Sequence, residues 1–275
     1  VIAKPFLKWA GGKTALLHEI LPRLPKKINT YYEPFVGGGA VYFALAWEDR
    51  FTHAVLSDSN RELIDTYQAL RNSAKSVIAA LSDHVYEEKH YYSVRSLEPR
   101  ALDFYSRAAR FIYLNRTCFN GLYRVNRKGA FNVPFGRYTN PTICDEALLR
   151  SVSKVLSRTG RASIQCKSFE DVVLNSRKGD AVYFDPPYVP ASDTANFTSY
   201  TAGGFGLRNQ EFLRDVVLKL VKRGVHVLLS NSDTPLVRKL YKGFKVERVE
   251  APRRVNSKAE KRGNVGELLI SGRWL

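Results

Sequence analysis

AVYFDPPY, residues 181–188, sets four residues suited to a buried strand against an acid, two prolines and a tyrosine. A short continuous apolar run of this kind reads as a strand covered on both faces, as in a parallel sheet. Proline brings no N–H to a ladder and fixes its own φ, so the strand must end at Asp185 and bend through Pro186 and Pro187. In open α/β sheets ligands lie beyond the carboxyl ends of the strands, which puts Asp185, Pro186, Pro187 and Tyr188 on the edge where chemistry is done. A specified string like DPPY arises by chance in about one chain in a thousand of this length, which weighs against a merely structural Pro-Pro turn with a rim tyrosine.

Outward from that strand, NTYYEPFV (29–36) reads as another, running into Gly37, Gly38 and Gly39, and AVYFALAW (40–47) as a helix packed on it. HAVLSD (53–58) predicts a second short strand and NRELIDTYQALRN (60–72) a helix. From about 74 to 118 the pattern becomes helical again, most clearly in SRAARFIYLNRT (106–117). In FNGLYRVNRKGAFNVPFGRY (119–138) short β-prone pieces surround the turn Asn126-Arg127-Lys128-Gly129, which reads as a hairpin. Further strands are expected at ASIQC (162–166), HVLLS (226–230), FKVERVE (244–250) and GELLIS (266–271), with helices near 145–157, 207–223 and 234–242. Strand and helix alternate again after the interruption, so the expected fold is α/β: one doubly wound sheet carrying an inserted module at about 60–145.

At 275 residues and 44% hydrophobic the chain can bury a sizeable core. No run approaches the roughly 18 apolar residues of a membrane span, and VIAKPFLKWAGGK lacks the apolar centre of a signal peptide, so a soluble, cytoplasmic protein is expected. Cys118, Cys144 and Cys166 are odd in number and far apart, which suggests neither a disulfide framework nor a zinc site, and no metal is expected. Lysine plus arginine exceed aspartate plus glutamate by 43 to 26, a net charge of +17. Such an excess repels itself and points to a polyanionic partner. No segment combines a basic face with a clean apolar one, so membrane binding is not expected.

The glycine run lets the backbone turn tightly beside a ligand, and Asp58, at the end of the next strand, is placed to accept both hydroxyls of a ribose. Alone, these residues leave a purely steric turn open and do not exclude NAD. DPPY speaks to a narrower chemistry. The exocyclic nitrogen of adenine is a poor nucleophile because its lone pair is delocalised into the ring. The Asp185 carboxylate and the Pro186 carbonyl can accept its two N–H bonds and favour a more tetrahedral nitrogen facing an electrophile. The prolines stiffen the turn, and Tyr188 offers a face on which a flipped base can stack.

AVYFDPPY, EPFVGGG (33–39) and FLKWAGGK (6–13) together resemble the Dam-type DNA adenine-N6 methyltransferases, which use S-adenosylmethionine. The resemblance covers nearly the whole chain, and the motif order is similar to that of the alpha group. It implies the doubly wound mixed sheet of the S-adenosylmethionine-dependent methyltransferases, with residues 1–59 and 146–275 as catalytic domain. Residues 60–145 would be a target-recognition domain of helices and a β-hairpin. By matching residue to residue it implies Trp9, Ala10, Gly11 and Lys13 as cofactor contacts. Glu33, Pro34, Phe35, Gly37 and Gly38 would form the methionine side of the pocket, with Asp58 on the ribose. Phe169, in KSFEDV, would lie against the donor's adenine, and Asp185 would border the donor as well as the substrate.

NGLYR (120–124) and FNVPFGRY (131–138) resemble the family's target-recognition element. The resemblance implies that Phe119 fills the stack or wedge beside an extruded adenine, with Asn120 as its neighbour. Leu122 and Pro134 would touch a thymine methyl, and Arg124 would offer paired donors to a guanine edge. Lys8 would contact the first guanine, while Arg137 and Tyr138 would secure the backbone or an outer base pair. Together these imply a GATC target in double-stranded DNA. The alternative, that the arginines only touch phosphates, is the preferred reading for Arg127 and Lys128. Residues 189–206 and the basic stretch 253–264 read as loops ordered by DNA or donor. A monomer is expected and a dimer left open. Methylation of cytosine N4 or of RNA adenine, and a catalytically silent DNA-binding regulator, stand as competing readings.

Overall fold

After a single turn, α1 (Leu17–Ile20), the chain enters β1 (Ile28–Glu33), which stops at the residue before Pro34. The strand is three residues shorter at this end than the apolar pattern 29–36 suggests, because proline cannot continue the ladder. This is a computed structural model, and it describes residues 1–158, 161–189, 205–252 and 264–272. The two expected loops therefore lie almost wholly outside the described residues.

α2 (Ala40–Trp47) and β2 (Phe51–Ser57) follow as expected. α3 (Arg61–Ser82) starts where the Asn60 side chain accepts the Leu63 N–H. It was expected to end at 72, yet it runs on through a non-helical Ser73, because Ala74, Val77, Ile78 and Leu81 beyond the kink are all buried. α4 (Glu88–Ser96) leads to α5 (Phe104–Thr117), which Asp103 caps through the Tyr105 and Ser106 N–H groups. Two ion pairs tie α3 to α5: Asp65 with Arg107 at 2.8 Å and Glu62 with the buried Arg110 at 2.9 Å. The expected hairpin carries only isolated bridges, Cys118 to Phe135 and Val125 to Phe131, and closes where the Gly129 N–H reaches the Asn126 carbonyl.

Then come α6 (Glu146–Leu156), β3 (Ala162–Gln165), α7 (Phe169–Val172) and β4 (Ala181–Phe184). α8 (Leu207–Lys222), β5 (His226–Ser232), α9 (Pro235–Leu240), β6 (Lys245–Pro252) and β7 (Asn264–Ser271) complete the described chain. The seven strands lie in the order β3-β2-β1-β4-β5-β7-β6, parallel except for β7, which runs antiparallel to β5 and to β6. This is the mixed, doubly wound sheet expected of a methyltransferase. Strand alternation divides the core: Tyr31 and Tyr183 pack on the face of α3 and α5, Tyr32 and Phe184 on the face of α8 and α9. All four residues of AVYF are buried, as a central strand requires. Chain order reverses between β1 and β4, so a crevice is expected beyond their carboxyl ends. Among the described residues no helix is long and apolar enough to cross a membrane.

Candidate active site

Asp185 stands one residue past β4, and its Oδ1 lies 2.9 Å from the Nζ of Lys13. Lys13, itself buried, also donates to the Gly11 carbonyl at 2.5 Å and lies 3.5 Å from Glu267 of β7. The Tyr188 hydroxyl donates to the same Glu267 carboxylate, and the Lys13 ammonium sits 4.8 Å from the centre of the Tyr188 ring. Three distant stretches of sequence thus meet at one point: FLKWAGGK, DPPY and the last strand.

The turn is braced from behind. Gln210 of α8 donates from Nε2 to the Pro187 carbonyl at 2.9 Å, and the buried Asn231 of β5 donates to Gln210 at 3.1 Å. Asn231 also accepts the Val189 N–H, while Ser232 donates its hydroxyl to the Val189 carbonyl. With the Pro187 oxygen engaged, the Pro186 carbonyl accepts no hydrogen bond among the described residues and is left for a ligand.

The glycine turn closes the opposite wall. Gly37 has φ +45°, and a Cβ there would fall 2.6 Å from the Trp9 indole; one on Gly38 would meet the Trp9 Cβ at 3.3 Å. The Trp9 carbonyl accepts the Gly12 N–H across Ala10 and Gly11, which folds the N-terminal segment back onto this turn. Asp58, just past β2, accepts the Gly37 N–H at 3.3 Å and the Asn60 N–H at 3.0 Å. Pro34 joins the two strand ends through its carbonyl, which accepts the Ser57 hydroxyl. Phe35 and Phe169 stack at 5.5 Å, with Phe205 edge-on to both.

Burial sets the charge states. It pushes the Asp185 carboxyl up to about 6, although Lys13 pulls the other way. Burial likewise raises Asp58 to about 6 against the pull of the backbone N–H groups it accepts. Burial opposes the charge on Lys13, but Asp185 and Glu267 outweigh it and its pKa is raised. Glu33, at the end of β1, takes the Tyr31 hydroxyl at 2.8 Å and is driven by burial to about 8.

A carboxyl whose folded pKa is raised stabilises the protein below its unfolded pKa, near 4.3 for glutamate, and that contribution is lost as pH rises through 8. Glu33→Gln should therefore raise the melting temperature by roughly a few degrees at about pH 9 and hardly change it at about pH 5. Thermal melts at the two pH values check this, and an equal shift at both contradicts it.

The residues matched to target recognition form a second group. Phe119 is 43% exposed, and the exposed Asn120 beside it has φ +55°. Leu122 is half-buried, whereas Pro134 and Arg137 are exposed. Arg124 folds back on Asn132, donating to its side chain at 2.8 Å and to its carbonyl at 3.2 Å. The Tyr138 hydroxyl donates to the Cys118 carbonyl, and the Lys8 ammonium lies 3.8 Å over the Tyr138 ring. Burial and the nearby Arg116 lower the Lys8 pKa.

Asn115 joins the two groups. Its Oδ1 accepts the Lys8 N–H at 2.8 Å, and its Nδ2 donates to the Lys8 carbonyl at 2.7 Å. Trp9 stacks on Tyr123 at 5.8 Å, and a Cβ on Gly121 would strike Lys8 at 2.4 Å. Reading the sequence missed Asn115, Gln210, Asn231 and Glu267. Asn115 and Glu267 adjoin apolar runs, in FIYLNRT and GELLIS, but Gln210 and Asn231 sit among polar residues, in RNQE and SNSD, where nothing local marks them.

Residues 9–255 match the family described as D12 class N6 adenine-specific DNA methyltransferase. The Type II methyltransferase M.MjaIII of Methanocaldococcus jannaschii is 44% identical over 286 residues, covering 97% of this chain and 98% of the relative. The Type II methyltransferase M1.LlaDCHI of Lactococcus lactis subsp. cremoris is 42% identical over 274 residues, with 98% and 95% covered. A DNA adenine methylase of Escherichia coli is 37% identical over 270 residues, with 97% and 94% covered. Since the match runs from the segment that holds Lys13 to beyond DPPY, the chain belongs to the D12 class of N6 adenine-specific DNA methyltransferases.

Proposed function

We propose that this enzyme transfers the methyl group of S-adenosylmethionine to N6 of an adenine swung out of double-stranded DNA, within GATC. The observation that carries the reading is the pairing of the Asp185 carboxylate with a Pro186 carbonyl that accepts no hydrogen bond among the described residues, on a turn braced by Gln210. The charge at the site fits a cationic donor. Asp185 and Glu267 are coupled acids that share Lys13, the only cation paired with either of them among the described residues, and Glu33, which burial keeps protonated up to about pH 8, couples to Asp185. Bound there, S-adenosylmethionine supplies an electrophilic methyl on a positively charged sulfur.

Trp9, Ala10, Gly11 and Lys13 would hold the donor together with Glu33, Pro34, Phe35, Gly37 and Gly38. Asp58 would take the ribose and Phe169 the adenine. Asp185 and the Pro186 oxygen accept the two N–H bonds of the target amine and stabilise the charge that develops on it, with the proton lost late. Pro187 fixes the turn, and Tyr188 stacks on the base.

Residues 60–145 are read as the target-recognition domain. An exposed Phe119 on a strained turn suits a wedge, and Arg124 would exchange Asn132 for a guanine edge. The GATC assignment rests on the resemblance of NGLYR and FNVPFGRY, and on relatives named DNA adenine methylase. Expression in a methylation-free host, followed by modified-base sequencing, is the test. N6-methyladenine confined to GATC supports the reading, whereas a different methylated motif overturns the target.

A further inference from the structure

Glu267 is matched to no role by the resemblance, yet it closes the site. It lies on β7, 8% exposed, opposite Ser232 of β5 in the antiparallel register, so the last strand delivers a carboxylate to the edge where the parallel strands end. Its Oε1 takes the Tyr188 hydroxyl and lies 3.5 Å from the Lys13 ammonium, which pairs with Asp185 at 2.9 Å and faces the Tyr188 ring at 4.8 Å. We propose that Glu267 is a positioning residue for methyl transfer: one carboxylate fixes the tilt of the Tyr188 ring and holds Lys13 against Asp185. The proposal rests on the reading of Tyr188 as the stacking face.

A structural role alone does not account for this arrangement. Lys13 already has a closer anionic partner and a backbone acceptor, so a second buried acid adds desolvation cost without being needed to pair the charge. The Tyr188 hydroxyl donates to Glu267 and also interacts with the Asp185 carboxylate, so Glu267 is the acceptor from outside the turn that sets the tilt of the ring. A ring fixed at its far end by a hydrogen bond loses its rocking freedom, and a base stacked on it is held in one plane.

Charge adds an independent readout. The groups facing Asp185 are Lys13 from the N-terminal segment, Tyr188 on its own turn, Glu267 on β7, Glu33 and Tyr31 on β1, and Tyr183 on β4. Of these, Glu267 is an acid that opposes ionisation of Asp185. Removing its charge while keeping its oxygen should let Asp185 ionise at lower pH.

The experiment is steady-state kinetics on the full chain with duplex DNA and S-adenosylmethionine. Glu267→Ala should lower kcat roughly 10- to 100-fold with both KM values within about threefold. Tyr188→Phe combined with Glu267→Ala should lose clearly less than the product of the two single losses, because the two substitutions share the Tyr188–Glu267 contact. Glu267→Gln, which can still accept the Tyr188 hydroxyl, should keep most of kcat at pH 8 and move the acid limb of the pH profile to lower pH. Multiplicative losses in the double variant, or an acid limb that stays in place, overturn the proposal. If Glu267→Ala does not fold, the acid limb of Glu267→Gln decides alone. Tyr188→Ala separates the two readings: full turnover in that variant removes the stacking role and this proposal with it. Lost turnover alongside multiplicative losses in the double variant removes only the proposal.

Discussion

Asp185→Ala is expected to lower kcat by roughly three orders of magnitude or more while leaving DNA affinity within about threefold. The carboxylate sits at the end of a strand whose four residues are all buried and on a turn held by Gln210 and Asn231, so its position does not depend on the substrate. Removing it deletes a charged acceptor aimed at developing positive charge and strands the Lys13 ammonium beside Glu267 alone. Phe119, Arg124 and Arg137, the residues proposed to grip the duplex, belong to a separate stretch of chain and are left intact. Single-turnover kinetics beside a DNA-binding titration separates the two effects, and a parallel collapse of affinity contradicts the division of labour. The pH profile follows from the same residue. The ionised carboxylate is the stronger acceptor for its N–H of the target amine and the form that stabilises positive charge there, and burial places its titration at about 6, as it does that of Asp58. Turnover should therefore fall about tenfold per unit as pH drops below that point.

Gly37→Ala should cost roughly 100-fold in donor affinity measured by calorimetry, because the new Cβ displaces Trp9 from the wall of the proposed pocket, while the backbone strain is lost from stability. An L-residue at φ +45° is strained by about 1–2 kcal/mol, and its Cβ would press within 2.6 Å of the Trp9 indole. Trp9 cannot step aside freely, since it stacks on Tyr123. The backbone cannot shift freely either, because Asp58 accepts the Gly37 N–H and Tyr67 donates to the Gly37 carbonyl. Gly129→Ala is the control: its φ is +79° but its Cβ would meet open space, so it should cost stability in the hairpin and leave donor binding unchanged. Equal donor affinities for wild type and Gly37→Ala would show that the segment around Trp9 takes no part in holding the donor.

The elements that carry chemistry were the easiest to read, for a physical reason. A central parallel strand must be apolar throughout and must end abruptly where a ligand begins, so β4 with Asp185 announces both its extent and its edge, whereas the apolar run 29–36 overshoots β1, whose end Pro34 alone marks. Tertiary contacts hid the rest. Ser73 looks like a stop, yet buried Val77 and Leu81 carry α3 onward; local propensity gives no sign of the helices they pack against. The hairpin was visible through its Asn-Arg-Lys-Gly turn, but its bridges stay isolated where a ladder was expected. Glu267 was invisible because GELLIS reads as an ordinary strand. Only the insertion of β7 between β5 and β6 carries that acid across the molecule to Tyr188 and Lys13.

The clasp that Asn115 makes on the backbone of Lys8 has a thermodynamic corollary. One short strap of chain, Phe6 to Lys13, borders both of the proposed ligand sites, so an occupant that shifts the strap in one is expected to be felt in the other. Linkage makes such influence symmetrical: by whatever factor the small molecule improves the grip on the duplex, the duplex improves retention of the small molecule. A charged and an uncharged copy of this enzyme would then scan a chromosome as two different proteins.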